Sequence, residues 1–223
     1  MHALLRQPNP ISDEDVKIAL RRALRKKTSR PRQALGLSHE LRDALISTFD
    51  ESLYGKRNKA LVSVGYDILA RRSELVSLNI EDIQERATIL IRRSKNDPYG
   101  EGRLAALSPR SMQYVFEWLS AASIKTGPIF RSIKGTKISK NSMHVHSVGR
   151  ILKIAAQNAK LPSHVIESIS GHSMRIGAAQ DMMLNGCDIL PIMAAGGWKS
   201  INVVARYVEK TDLTKLRFRT FSR

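Results

Sequence analysis

Only one stretch of this 223-residue chain, Ala87 to Arg93 (ATILIRR), reads as β-branched and alternating, the pattern of a half-buried strand. Asn96 to Gly102 follows it, rich in turn formers, and Arg103 to Leu107 returns as the partner strand. Helical spacing governs the rest. Apolar positions recur every three to four residues from Asp13 to Lys27, from His39 to Phe49 with Ser38 as N-cap, and from Tyr54 to about Leu69. Ser108-Pro109 places an N-cap before a proline at the first helical position and opens a helix to about Ile124. Further helices are expected over Val148 to Ala159, Ser173 to Leu184 and Ile189 to Ala194, with Gly186 and Gly196-Gly197 as terminators. The fold class is therefore mainly α with a small antiparallel β-sheet.

The charge balance narrows the partner. With 37 Lys and Arg against 20 Asp and Glu the chain carries +17, which points to a polyanion: nucleic acid first, an anionic membrane surface second. Hydrophobic residues make up 42%, enough for a real core and against general disorder. The single cysteine, Cys187, excludes an intrachain disulfide framework and a Cys-rich zinc site and fits a reducing, cytoplasmic compartment. No apolar run approaches membrane-spanning length, so a soluble intracellular protein is expected.

The chemistry concentrates in a few short strings. GHSMRIGAAQDMMLNG sets His172 and Arg175 three residues apart on one helical face near the helix N-terminus, where a phosphate is favoured. Downstream come Gly196-Gly197-Trp198 and then ARYVE with Tyr207. Upstream, ARRSEL sets Arg71 three residues before Glu74, and Lys95 sits where the first hairpin strand enters its turn. Each string alone is weak: an isolated H-x-x-R is mostly chance, and a Trp after two glycines is usually core. In this order they resemble the tyrosine recombinase (phage integrase) superfamily, and within it the Cre type, whose pattern is Arg, hairpin Lys, H-x-x-R, His or Trp, then Tyr. The resemblance covers about Asp13 to Tyr207. It implies a tyrosine recombinase catalytic domain in which Arg71, Lys95, His172, Arg175, Trp198 and Tyr207 are catalytic and Glu74 supports them. It also implies double-stranded DNA as substrate, a homo-tetrameric synaptic complex passing through a Holliday junction, a bacterial or phage-encoded, nucleoid-associated setting, and no metal, ATP or other cofactor.

Elementary chemistry agrees with those roles. Breaking a phosphodiester without hydrolysing it needs a nucleophile that holds the phosphate covalently, as a phenol hydroxyl can. Charge then builds on the non-bridging oxygens, where two guanidiniums form paired hydrogen bonds that lysine cannot reproduce. The leaving 5′ oxygen needs a proton, which a lysine with a lowered pKa can supply. An indole N–H only donates, so Trp198 is expected to hydrogen-bond phosphate and to pack, leaving His172 as the base.

Residues 1–35 are expected to be a basic helix and linker, the remnant of the family's N-terminal core-binding domain; 36–210 form the catalytic domain; 211–223, with Leu213, Leu216, Phe218 and Phe221, resemble the tail that relatives dock onto a neighbouring subunit. Lys17 to Arg32 holds eight basic residues and no acid. Of these, Lys17, Arg21, Arg22, Arg25 and Lys26 are the candidate DNA contacts, against the plainer reading of a solvated charged face. Competing readings are a truncated relative that only binds DNA, a lipid-surface role for Val16 to Lys27, and a metal-dependent nuclease or phosphatase using His144, His146, His164 and Asp188. In the last, His144-x-His146 would put both rings on one strand face, but neither a carboxylate cluster nor H-E-x-x-H accompanies them.

Overall fold

The computed structural model of the protein describes residues 12–26, 33–92 and 102–209; Lys95, the turn over 96–101 and the tail from 211 onward lie outside these. The chain divides into two units between Gln33 and Ala34. In the first, α1 (Glu14–Lys26) begins where the Asp13 carboxylate accepts hydrogen bonds from the Asp15 and Val16 amides, at 2.9 and 3.2 Å. Lys17 pairs with Glu14 at 3.0 Å and Arg21 reaches the same carboxylate at 3.7 Å, while Arg22 and Lys26 are exposed. Val16, Ile18 and Leu20 are exposed as well. The Arg25 side chain lies outside the described set.

The second unit is mainly helical with small antiparallel sheets, as the sequence predicts, but its described residues form two sheets where one is expected. Its helices α2 (His39–Ile46) and α3 (Leu53–Asp67) start at Ser38 and Ser52, whose hydroxyls accept from the Leu41 and Gly55 amides. α2 stops short of Phe49 because the Ser47 and Thr48 hydroxyls donate back to the Ala44 and Leu45 carbonyls, and the chain turns there. After α3 comes α4 (Arg72–Val76), then β1 (Ile83–Gln84), β2 (Thr88–Ile91) and β3 (Arg103–Ala106) in one sheet. Thr88 pairs with Ala106 and Ile91 with Arg103, the hairpin expected from the alternation. α5 (Pro109–Ala121) has Ser108 as N-cap and ends before Ile124, at Ser123 in the left-handed region (φ 52°).

A second hairpin, β4 (Arg131–Lys134) and β5 (Lys137–Ser142), precedes α6 (His146–Asn158) and α7 (Ser163–Ser168). This corrects the strand reading of the histidine pair. β5 ends at Ser142, His144 is in a loop, and His146 opens a helix, so the rings stack at 5.1 Å instead of sharing a strand face. His164 lies on α7, and Asp188 is the N-cap of a later helix. Among the described residues no group of three or more His, Cys, Asp or Glu could hold a metal. Among them, too, no helix is long and apolar enough to cross a membrane.

The remaining helices are α8 (Ser173–Leu184), α9 (Ile189–Gly196) and α10 (Ile201–Val208). The main core gathers α2, α3, α5 and α6 around Leu45, Leu61, Trp118, Phe130 and Leu152, and the Trp118 indole donates to the Ile129 carbonyl at 2.8 Å. α8 is buried on every side over its first two turns, which is the burial expected of a helix through the middle of a domain. The Leu37 segment presses so closely on it that a Cβ added to Gly177 would lie 1.7 Å from the Leu37 carbonyl oxygen. Met174 belongs to the main core. Ala178 and Ala179 belong to a second, smaller cluster with Leu69, Ile192, Trp198 and Val204, which seats α9 and α10.

Candidate active site

The site is assembled where α3 ends. Leu69 is left-handed there (φ 48°), a conformation uncommon for a branched side chain, and the turn exposes consecutive carbonyls to charged donors. Arg175, third residue of α8 and 1% exposed, donates through Nη1 to the Leu69 carbonyl at 2.5 Å. Its Nε and Nη2 are buried without a hydrogen-bond partner among the described residues. An unmet guanidinium edge at this depth is costly, and an anion accepting from it removes the cost. The flat face of the same guanidinium lies 4.0 Å from the centre of the Trp198 ring.

Arg71 is the N-cap of α4. Glu74 reaches back to it in a capping-box arrangement: one carboxylate oxygen accepts from the Arg71 amide at 2.9 Å, the other from the Arg71 guanidinium at 2.5 Å. Burial alone pushes the Glu74 carboxyl up, but the hydrogen bonds from Arg71 and the charges of Arg71 and Arg103 outweigh it and hold it below the usual carboxylate range. Removing one partner from so buried a pair typically costs about 3–5 kcal/mol. Arg103 is a contributor that sequence reasoning passes over as a strand residue; it meets the same carboxylate at 3.3 Å. Two guanidiniums, those of Arg71 and Arg103, thus meet one carboxylate among the described residues, an excess of positive charge. Burial, then the repulsion of Arg71, brings Arg175 down to about 10, so it stays charged at neutral pH.

His172 caps the N-terminus of α8 and places Nε2 3.2 Å from the Tyr207 hydroxyl. Burial, then the charges of Arg175, Arg72 and Arg71, hold the imidazole below its ordinary value. It is neutral at pH 7 and free to accept the phenol proton in the tautomer protonated on Nδ1. Tyr207 rides on α10, half-buried, with its ring 5.5 Å from Trp198. The Gln180 amide of α8 donates to the Tyr207 carbonyl at 2.9 Å and anchors that helix end. Trp198 follows the left-handed Gly197 that ends α9, and an added Cβ on Gly196 would lie 2.0 Å from the indole ring. Gly196 is thus the last helical residue and Gly197 alone is the terminator.

Six of the seven expected residues, Arg71, Glu74, His172, Arg175, Trp198 and Tyr207, therefore converge on one place. Lys95 lies outside the described residues, and the basic residues of α1 belong to the other unit. A buried guanidinium lies beside a histidine–tyrosine pair in a domain with the fold of an integrase catalytic domain, and solved structures bear out that fold. The catalytic domain of bacteriophage HP1 integrase superposes with a TM-score of 0.55 at 19% identity, covering 81% of this chain and 90% of that one. The chain belongs to the phage integrase family of tyrosine recombinases, whose profile matches residues 36–213. It is 33% identical to the integrase/recombinase xerD homolog of Selenomonas ruminantium, over 93% of this chain and 63% of that relative. To the recombinase cre of Escherichia phage P1 it is 26% identical, over 92% and 66%. The chain thus spans a little under two thirds of the length of these two relatives.

Proposed function

We propose that this chain is the catalytic part of a site-specific DNA recombinase that cuts and rejoins duplex DNA through a 3′-phosphotyrosine at Tyr207. Two observations carry this reading: the contact between His172 and the Tyr207 hydroxyl, and the buried edge of Arg175 that has no partner among the described residues. In the step proposed, the Tyr207 oxygen attacks the phosphorus and its proton passes to His172. The bond to the 5′-bridging oxygen breaks, and that oxygen takes a proton from Lys95. Arg71 and Arg175 hold the non-bridging oxygens, with the Trp198 indole N–H as a further donor. The phosphodiester energy is kept in the tyrosyl ester, so a 5′-hydroxyl attacking in reverse reseals the strand without a cofactor. Lys17, Arg21, Arg22, Arg25 and Lys26 contribute phosphate contacts from the N-terminal helix, and strand exchange takes place in a homo-tetramer on DNA.

The test is covalent capture. The chain is incubated with a library of nicked duplexes of random sequence, in which a released short strand cannot religate, and denaturant-resistant complexes are isolated and sequenced. A captured duplex retained by the unsubstituted chain and lost by Tyr207→Phe, with non-covalent binding kept, is the expected result. An adduct that survives Tyr207→Phe moves the nucleophile elsewhere. Absence of any adduct, with duplex still bound, favours a DNA-binding module without cleavage.

A further inference from the structure

Arg103 has no role in the chemistry described above, yet its side chain is only 12% exposed and its two terminal nitrogens donate to three separate elements. It opens β3, directly paired with Ile91 of the strand that runs toward Lys95. Nη1 donates to the Ala195 carbonyl at 2.5 Å, and Nη2 to the Ile68 carbonyl at 3.0 Å and to Glu74 at 3.3 Å. Two of the acceptors are backbone carbonyls at the ends of helices, and the third is a carboxylate already held by Arg71. The Gly197 and Trp198 amides close α9 on Ala194 and Met193, which leaves the Ala195 carbonyl of the last turn without an intrahelical donor. A cation there also suits the negative end of the helix. The Ile68 carbonyl precedes the one taken by Arg175, so two arginines grip consecutive residues of the same turn. Glu74, finally, is shared with Arg71.

We propose that Arg103 is a positioning residue: it ties the hairpin strand, the turn at the end of α3 and the Trp198 turn into one frame, so that phosphate clamp and hairpin keep a fixed relation. It acts through Glu74, Ile68 and Ala195 and touches no substrate. The role in catalysis rests on the recombinase reading above. Lysine at this position keeps the charge, but its single ammonium cannot reproduce a planar fork that reaches three acceptors.

The test uses the whole chain, the duplex recovered by covalent capture, and two variants, Arg103→Met and Arg103→Lys. In Arg103→Met, amide hydrogen exchange should quicken at Gly197 and Trp198 while the interior of α3 stays protected. Single-turnover cleavage should fall about a hundredfold, the scale of a misplaced catalytic frame, with the dissociation constant for the duplex unchanged. Arg103→Lys should fall between the two. Unchanged cleavage in Arg103→Met overturns the proposal. So do full recovery by lysine, equal losses in binding and cleavage, and exchange that rises uniformly across α3 and α8, which marks a purely structural residue. If the unsubstituted chain forms no Tyr207-dependent adduct, the recombinase reading fails by itself, and the exchange pattern still decides whether Arg103 holds the Trp198 turn.

Discussion

Arg175 and Tyr207 lie within one site but are held by different amounts of protein. Arg175 sits on the part of α8 flanked by Met174 of the main core, with its guanidinium bonded to the end of α3 and covered by Trp198. Tyr207 sits on an eight-residue helix whose one buried residue is Val204, seated on the small cluster of Leu69, Ala178, Ala179, Ile192 and Trp198. Local opening costs least where few apolar contacts must be broken. In the proposed mechanism the difference gives preorganisation to Arg175, as phosphate clamp, and adjustability to Tyr207, as nucleophile. A clamp fixed before DNA arrives stabilises developing charge without reorganising, whereas a tyrosine that must attack and later be released is better carried on a lightly held element.

Substitutions can break that contrast. The largest effect belongs to Arg175→Ala, which removes the clamp and leaves the Leu69 carbonyl without its buried donor. Cleavage should drop by about a hundred- to a thousandfold in single-turnover assays, and Arg175→Lys should recover little of it because one ammonium cannot present the paired edge. Recovery by lysine to near the starting rate would mean that charge alone suffices and that the clamp needs no preorganisation.

A smaller effect is expected on the other side. Gln180→Leu deletes the bond to the Tyr207 carbonyl, a hydrogen bond with a net worth of roughly 1 kcal/mol. Amide exchange in α10 should quicken and cleavage fall about five- to tenfold, while the thermal midpoint of the domain barely moves. If the midpoint falls as it would for a main-core truncation, α10 is not a separable element and the contrast is lost.

The smallest effect sharpens the link between the two regions. Because burial and the nearby arginines depress His172, its neutral form persists through neutral pH, and cleavage should decline only as pH falls below the ordinary imidazole value near 6.5. Arg72 adds to that depression, so Arg72→Gln should move the acidic limb of the pH profile upward, toward 6.5. Stability follows the same sign. A histidine kept neutral in the folded state binds fewer protons than in the unfolded chain. Its contribution is therefore complete above about 6.5 and is lost as pH falls through the lowered folded value.

Much of this is legible in the amino-acid sequence. Ser38 and Ser108-Pro109 announced their helices because caps are local chemistry, and both ends of α8 were read correctly from the run between His172 and Asn185. The β4–β5 hairpin is hidden because RSIK and KISKNS carry one isoleucine each among polar residues, too few to show apolar alternation in the sequence, and α4 because five residues are too few to show a period. Within the site, the resemblance of the ordered strings to the family pattern singles out Arg71, Glu74, His172, Arg175, Trp198 and Tyr207. It could not find Arg103, whose partners Ile68 and Ala195 lie 35 and 92 residues away and are backbone carbonyls, which any residue supplies. Gln180 was hidden for the same reason: it binds the backbone of Tyr207, not a recognisable side chain.

The most direct measurement is the chemical identity of the captured adduct. Protease digestion of the complex followed by mass spectrometry should find the DNA remnant on the peptide containing Tyr207, attached through a 3′-phosphate, with a free 5′-hydroxyl on the released strand. Attachment to Tyr54, Tyr66, Tyr99 or Tyr114, or linkage through a 5′-phosphate, would contradict a site built from His172, Arg175 and Tyr207.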